Sequence, residues 1–179
     1  MKDIDFLVEG ALSGFIDGRT HSLPIRVYYE DTDFSGVVYY ANYLKYFERG
    51  RSDFMRLLNI PHSDLAARED PLAFAVAEIN VKYHAPAKID DVLWVRSEID
   101  GSQGARFNLT QRIECKGKVL CVGKLQLVCI DMASRPRRLP KSLLEIVREK
   151  FLPENKPQTL TPEKAVTVET AHPGNNLLV

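Results

Sequence analysis

The sequence predicts an α+β fold in which a mostly antiparallel sheet wraps one long helix. Three observations predict it. Tyr40, Tyr43, Phe47, Gly50, Phe54 and Leu58 recur at steps of three and four, with no proline between them. Several later segments alternate between apolar and polar residues with a period of two. The order is strand, long helix, four strands in a meander, then a short helix, which separates long helix from strands instead of alternating them.

Each element has a local reason. Residues 24–30, PIRVYYE, are rich in β-formers and predict a first strand. DTDFSG follows as a turn, and the helical spacing runs from about Tyr39 to Leu58. Lys45, Glu48, Arg49 and Asp53 fall largely off its apolar line. Gly50 falls on that line at a cost of roughly 1 kcal/mol in helix propensity. Close packing of the helix backbone on a sheet is the physical reason to place glycine there. Asn59 and Pro61 are stop signals. A short helix is expected within 62–69. Ala73 to Tyr83 alternates and ends before Pro86, and residues 91–100 form the next strand. Gly101 to Gly104 predict a turn. Phe107, Leu109, Ile113 and Cys115 then line one face, with Gln111 the polar exception. Lys116-Gly117 is a hairpin signal. Val119 to Ile130 reads as a central strand, and Leu139 to Phe151 as a helix.

Composition bounds the function. The chain has 179 residues, which at roughly 150 per domain suits one domain with extra tail. Residues 1–21 read as an N-terminal extension and 22–152 as the domain. Residues 153–179, with Pro153, Pro157, Pro162 and Pro173, read as a flexible tail. Twenty-four basic residues balance twenty-four acidic ones, which argues against a general nucleic-acid binder. The longest apolar runs are far short of the roughly 20 residues that span a bilayer. MKDIDFLVEGAL lacks the basic start and apolar core of a signal peptide, so a cytoplasmic location is expected. Cys115, Cys121 and Cys129 form no C-x-x-C pair and lie in apolar runs, as buried free thiols do. No metal site is expected, because no second Cys or His sits at ligand spacing.

The densest chemistry lies in Glu30-Asp31-Thr32-Asp33-Phe34-Ser35-Gly36-Val37-Val38-Tyr39-Tyr40. Three carboxylates precede a helix N-terminus, whose unpaired N–H groups and positive partial charge favour anions. A carboxylate beside such donors has the makings of a base or nucleophile, with the donors holding a developing oxyanion. A calcium loop fails, because its twelfth position is Asn42, inside the helix. An aspartyl phosphatase needs a larger α/β domain than this meander supplies. No nucleotide-binding or serine-hydrolase motif is present. Asp31 and Asp33 as plain turn-formers or helix caps stay open on pattern alone.

VYYEDTDFSGVVYYANYLKYFERGRSDFM strongly resembles the opening of the hotdog-fold acyl-CoA thioesterases, in the 4-hydroxybenzoyl-CoA thioesterase family and its YbgC-like, Tol-Pal-associated branch. VKYHAPAKIDD and PRRLPKS are similar to later segments of that family, and the likeness spans roughly residues 24–147. The resemblance implies the hotdog fold and hydrolysis of acyl-CoA without metal or dissociable cofactor. It implies Asp33 as the catalytic carboxylate and the backbone N–H of Tyr40 as the oxyanion donor. YbgC-like members often carry His where this chain has Tyr40, which a backbone donor tolerates. It further implies a homodimer or homotetramer with the site between two subunits. A thiolate leaving group, with a reference pKa of about 8.5, needs less acid help than an amine, so one carboxylate without a triad is a workable design.

Other residues carry weaker expectations. Tyr39 is placed beside the thioester carbonyl, with a core or interface role as the alternative for it and for the Tyr40 side chain, and Tyr43 in the core. Arg137, Arg138 and Lys141, with Arg135, form a basic cluster suited to CoA phosphates or an acidic acyl carrier protein, or else to a solvated face. Glu48 either pairs on the surface or reaches a site across the dimer. Asp31 caps the turn or orients the loop, with a catalytic role as the lesser alternative. His84 is a surface or loop residue. His21, His62 and His172 have no evident partner, and Trp94 packs. A hotdog hydratase would need a His near the helix, and none lies between His21 and His62. A binding protein for acyl carrier protein or a lipid-synthesis complex, peripheral at the inner membrane, is the reading from another class. Asp33→Asn separates it from the enzyme.

Overall fold

The computed structural model describes residues 12–152. The expected tail at 153–179 and the first eleven residues of the expected extension lie outside the described residues. The strands are β1 (Phe15–Asp17), β2 (Thr20–Arg26), β3 (Leu72–Tyr83), β4 (Val92–Gln103), β5 (Arg106–Cys115) and β6 (Lys118–Asp131). The helices are α1 (Asn42–Leu57), α2 (His62–Ala66) and α3 (Lys141–Lys150). The strands make one six-stranded antiparallel sheet in the order β1-β2-β4-β5-β6-β3. This is the expected α+β architecture of a hotdog fold: a long helix against one antiparallel sheet.

From Tyr43 onward the apolar line of α1 packs as its spacing predicts, whereas Tyr40, its first expected member, precedes the helix and is exposed. The first half of α1 sets Tyr43, Tyr46 and Phe47 against Leu93, Val95, Ile113 and Cys121. Its second half sets Phe54 and Leu58 against Phe107, Leu109 and Leu127, with Leu143 and Val147 of α3 closing that end. Gly50 does what its position predicts. A Cβ there would lie 2.8 Å from Val95 Cγ1, 3.3 Å from Gln111 Nε2 and 3.4 Å from Ser97 Oγ. The sheet yields to the helix in the same way at Gly123, where a Cβ would lie 2.7 Å from the Phe47 ring. Gln111, the polar exception, is fully buried because every part of its amide is used. Its Nε2 donates to Phe47 O at 3.0 Å and Ser97 Oγ at 2.8 Å, and its Oε1 accepts from Arg51 at 2.9 Å.

Several expectations are corrected. Residues 15–21 do not stand apart from the domain. Phe15–Asp17 pairs with β2, and β2 itself starts at Thr20, so the sheet reaches into the expected extension. Its polar residues concealed this: His21 and Ser22 are fully buried. They bond to partners far along the chain, His21 Nε2 to Asp53 Oδ2 at 2.8 Å and Ser22 Oγ to Arg96 at 2.7 Å, while His21 Nδ1 has no partner among the described residues. For the same reason Asp53 is not on the solvent side of α1 but buried, also accepting Gly14 N–H at 2.9 Å. The strand expected to reach residue 30 ends at Arg26, and Tyr29–Asp31 turns as a short 3-10 helix once the Asp31 carboxylate accepts Tyr28 N–H at 2.9 Å. The long helix begins at Asn42, three residues later than expected. The four later strands are not a simple meander either. β4, β5 and β6 are successive neighbours, but β3 pairs with β6 and leaves its other edge open. β4 continues through Gln103 with a bulge after Ile99, so its turn falls at Gly104 rather than across 101–104.

Candidate active site

The acidic segment folds into a small hairpin clamped to the start of α1. Asp33 N–H donates to Val37 O at 3.0 Å, Thr32 bridges Val38, and Tyr39 N–H donates to Asp31 O at 2.9 Å. Gly36 takes φ +72 at its tip, a conformation that L side chains rarely adopt. Val38 docks the hairpin on the core by donating its N–H to Ala87 O at 2.9 Å, and Tyr43 Oη accepts Ala87 N–H at 2.9 Å. Asp33 is exposed, and its Oδ1 accepts Ser35 N–H at 2.8 Å. A cleft of ≈ 490 Å³ opens beside it, lined by Tyr29, Thr32, Phe34, Gly36 and Ile89.

Tyr40 precedes the helix. Asn42 N–H donates to Tyr39 O at 2.8 Å. In a trans peptide the C=O and N–H point in opposite directions. Pinning Tyr39 O to the helix therefore turns Tyr40 N–H away from it, and among the described residues that N–H has no acceptor. Tyr83 Oη, at the end of β3, donates to Tyr40 O at 3.0 Å and fixes the next peptide. The rings of Tyr39, Tyr40 and Tyr83 form an exposed aromatic ledge, with centroids 4.7 and 6.4 Å apart. The Tyr39 phenol is pushed up from its ordinary value, first by its interaction with the Tyr40 phenol, then by desolvation and the Asp33 carboxylate.

The expected residues divide into two groups. Asp33, Tyr39 and Tyr40 belong to one hydrogen-bonded unit. Arg137, Arg138 and Lys141 do not join them within one chain. They follow Asp131, whereas the hairpin's neighbours Ala85 and Tyr83 lie beside Leu120 and Cys121. Those two ends of β6 are on the order of 35 Å apart at about 3.4 Å per residue. Arg135 and Arg137 instead bracket the Asp131 carboxylate, at 2.9 and 3.5 Å. Glu48 pairs with Arg51 and accepts Ser52 Oγ at 2.8 Å. His62 and His84 are exposed, and His172 lies outside the described residues. Trp94 packs edge-on to Phe15 at 5.9 Å. A separate apolar cavity of ≈ 70 Å³ lies under the second half of α1, lined by Phe54, Met55, Phe74, Phe107, Leu127 and Val147.

Sequence reasoning missed Asn42, Tyr83 and Ala87 at this site. Asn42 gave no signal, because the expected helix began at Tyr39 and put it inside the helix rather than at its first position. Tyr83 and Ala87 had none, because only the pairing of β3 with β6 brings them to the hairpin. Among the described residues, no group of three His, Cys, Asp or Glu could hold a metal, and no helix is long and apolar enough to cross a membrane.

Residues 27–150 match the family described as the thioesterase-like superfamily. The chain belongs to that family. An acyl-CoA thioester hydrolase YbgC from Escherichia coli is 40% identical over 123 residues, covering 68% of this chain and 90% of the relative. An acyl-CoA thioesterase YbgC from Haemophilus influenzae is 39% identical over 123 residues, with the same coverage of both chains. The crystal structure of a probable thioesterase from Bartonella henselae is 41% identical with a TM-score of 0.67, covering 68% of this chain and 99% of that one. The region matched by the family spans the hairpin, α1 and the sheet from β3 onward.

Proposed function

We propose that this chain hydrolyses acyl-CoA thioesters to free acid and CoA, with Asp33 as nucleophile or general base and Tyr40 N–H as oxyanion donor. The observation that carries this reading is the outward, unpaired Tyr40 N–H on the same hydrogen-bonded unit as Asp33. The named relatives at 39–40% identity support the substrate class. In the proposed reaction the thioester oxygen accepts Tyr40 N–H, in line with the positive end of α1. Asp33 then adds to the carbonyl carbon, or takes a proton from a water that adds. The tetrahedral oxyanion is held by the N–H, the C–S bond breaks, and CoA leaves as thiolate. On the first route water hydrolyses the resulting anhydride and restores the carboxylate.

A second copy completes the site in this reading. β3 is twelve residues long with one open edge, and Val76 and Tyr83 on it are exposed in the single chain. Such an edge pairs readily with another strand. A two-fold antiparallel pairing along β3 sets the Leu72 end of one copy beside the Tyr83 end of the other. Leu72 pairs with Asp131, so the pairing carries Arg137, Arg138 and Lys141 toward the partner copy's hairpin. There they suit CoA phosphates or the acidic surface of an acyl carrier protein. The buried, unpaired Cys115, Cys121 and Cys129 suit a reducing cytoplasm.

The test is release of free thiol from short-chain, long-chain and aromatic acyl-CoAs and from acylated carrier protein, for wild type and Asp33→Asn at matched oligomeric state. The expected result is turnover by wild type and a loss of at least about 10²-fold in Asp33→Asn. Equal rates in the two proteins overturn the assignment of Asp33, and absence of turnover on every thioester overturns the enzymatic reading.

A further inference from the structure

The hairpin and the helix are joined at one carbonyl. Asp31 O accepts two donors: Tyr39 N–H at 2.9 Å and the side-chain Nδ2 of Asn42 at 2.9 Å. The first closes the hairpin, and the second crosses from the hairpin to α1. Asn42 is buried, 6% exposed, at the first position of the helix. A polar side chain at a helix start commonly caps the helix by accepting backbone N–H groups. Asn42 does not: the N-cap is Ala41, and the Asn42 amide is spent on a carbonyl eleven residues earlier.

Asn42 also controls the donor. Its backbone N–H holds Tyr39 O at 2.8 Å, which is what turns Tyr40 N–H outward. One residue therefore bonds the hairpin that carries Asp33 through its side chain, and orients the Tyr39–Tyr40 peptide through its main chain. Asp33 lies two residues beyond the carbonyl that Asn42 grips, inside a hairpin made rigid by the Thr32–Val38 bridge and the Asp33–Val37 bond. Rotation of that hairpin about Tyr39, where the chain leaves it, would swing Asp33 relative to the Tyr39–Tyr40 peptide that Asn42 N–H holds to the helix. The Asn42 amide is the side-chain bond across that joint.

We infer that Asn42 is a positioning residue: by holding Asp31 O against the first turn of α1, it sets the placement of the Asp33 carboxylate relative to the Tyr40 oxyanion donor. The inference rests on the thioesterase reading above. Asn42 touches neither the substrate nor the reacting atoms in it, so its loss acts on the chemical step and spares binding. A misplacement of about 1 Å at a reacting centre can cost about 10²-fold in rate.

The experiment compares wild type, Asn42→Ala, Asn42→Asp and Asp33→Asn as full chains at matched oligomeric state. Asn42→Asp keeps the shape of the side chain and replaces its donor by an acceptor. An acid in the first helical turn is otherwise favoured, so this variant supplies the answer if Asn42→Ala does not fold. The expected result for both is a kcat lowered about ten- to hundredfold with KM changed less than about threefold. Amide hydrogen exchange at Tyr39 supplies a second readout independent of turnover. It is expected to quicken by at least about tenfold in both variants, while amides in the middle of α1 keep their protection.

Wild-type kcat in Asn42→Ala or Asn42→Asp, alongside collapse in Asp33→Asn, overturns this inference alone. Wild-type rates in Asp33→Asn overturn the assignment of Asp33 and this inference with it. Unchanged Tyr39 exchange overturns the proposed joint whatever the rates. A fall in kcat together with equal loss of protection throughout α1 marks a general loss of structure and likewise overturns it.

Discussion

Gly50→Ala should destabilise this protein, although alanine is the better helix former. The added Cβ would sit 2.8 Å from Val95 Cγ1, where ordinary contact begins near 3.4 Å, so about 0.6 Å of clearance is missing. Val95 is fully buried on β4, which lies between β2 and β5, and has little room to retreat. The same Cβ crowds Gln111 Nε2 at 3.3 Å, the atom that bonds Phe47 O. Overpacking of this kind costs about 1–3 kcal/mol. A weakened buried hydrogen bond adds about 1 kcal/mol, and alanine's propensity returns about 1 kcal/mol. The net expectation is a loss of about 1–3 kcal/mol. For a chain of this size that lowers Tm by about 2–12 °C. Urea and thermal unfolding, followed by circular dichroism and the single tryptophan, Trp94, measure it at one fixed protein concentration. An unchanged urea slope would assign the effect to stability rather than to the unfolded chain. A Gly50→Ala protein as stable as wild type, or more so, refutes the close helix–sheet contact.

The remaining predictions concern groups that only the folded chain brings together. Burial works against the charge of Asp53, but hydrogen bonds from His21 and Gly14 and the charges of His21 and Arg56 hold its carboxyl below the usual value. Its contribution to stability is therefore complete above about pH 4 and is lost as pH falls through the lower folded value. Wild type should exceed Asp53→Asn in urea midpoint at neutral pH, and the gap should narrow between about pH 5 and pH 2.5; a constant gap contradicts the pairing. His21→Ala should cost about 3 kcal/mol at neutral pH, because it strips a buried carboxylate of its main partner, and a loss below about 0.5 kcal/mol would count against it. Cys115, Cys121 and Cys129 are buried, and burial pushes the Cys121 thiol up to about 12. A thiol reagent at about pH 8 should find almost none of the three in the native protein and all three after denaturation, since only the thiolate reacts.

The elements legible in the sequence are those whose signal is local. The long helix, the alternation in β3 and β5 and the Lys116-Gly117 hairpin each follow from which face of one segment is buried. Gly50 was legible for the same reason, since glycine on an apolar helical line needs a close neighbour to justify it. Asp33 and Tyr40 were singled out by a motif that is itself a short segment. What escaped depended on partners far away in the chain. THSLPIR looks polar until Asp53 and Arg96 are placed beside His21 and Ser22. Asp53 looks solvent-facing until His21 reaches it from β2.

The sequence by itself determined the fold class, the family and the segment proposed to carry the chemistry, because periodicity and a contiguous motif survive without knowledge of pairing. Tertiary structure alone decided that β3 lies beside β6 and has an open edge. It decided that Arg137, Arg138 and Lys141 stand at the far end of β6 from Asp33, and that Asp31 O, Tyr39 and Asn42 meet at one joint. Those facts turn on which strand pairs with which, and on hydrogen bonds that cross from one element to another, such as Asn42 Nδ2 to Asp31 O. Neither leaves a periodic trace in the chain, because each is set by the balance of burial over the whole sheet rather than by the residues on either side.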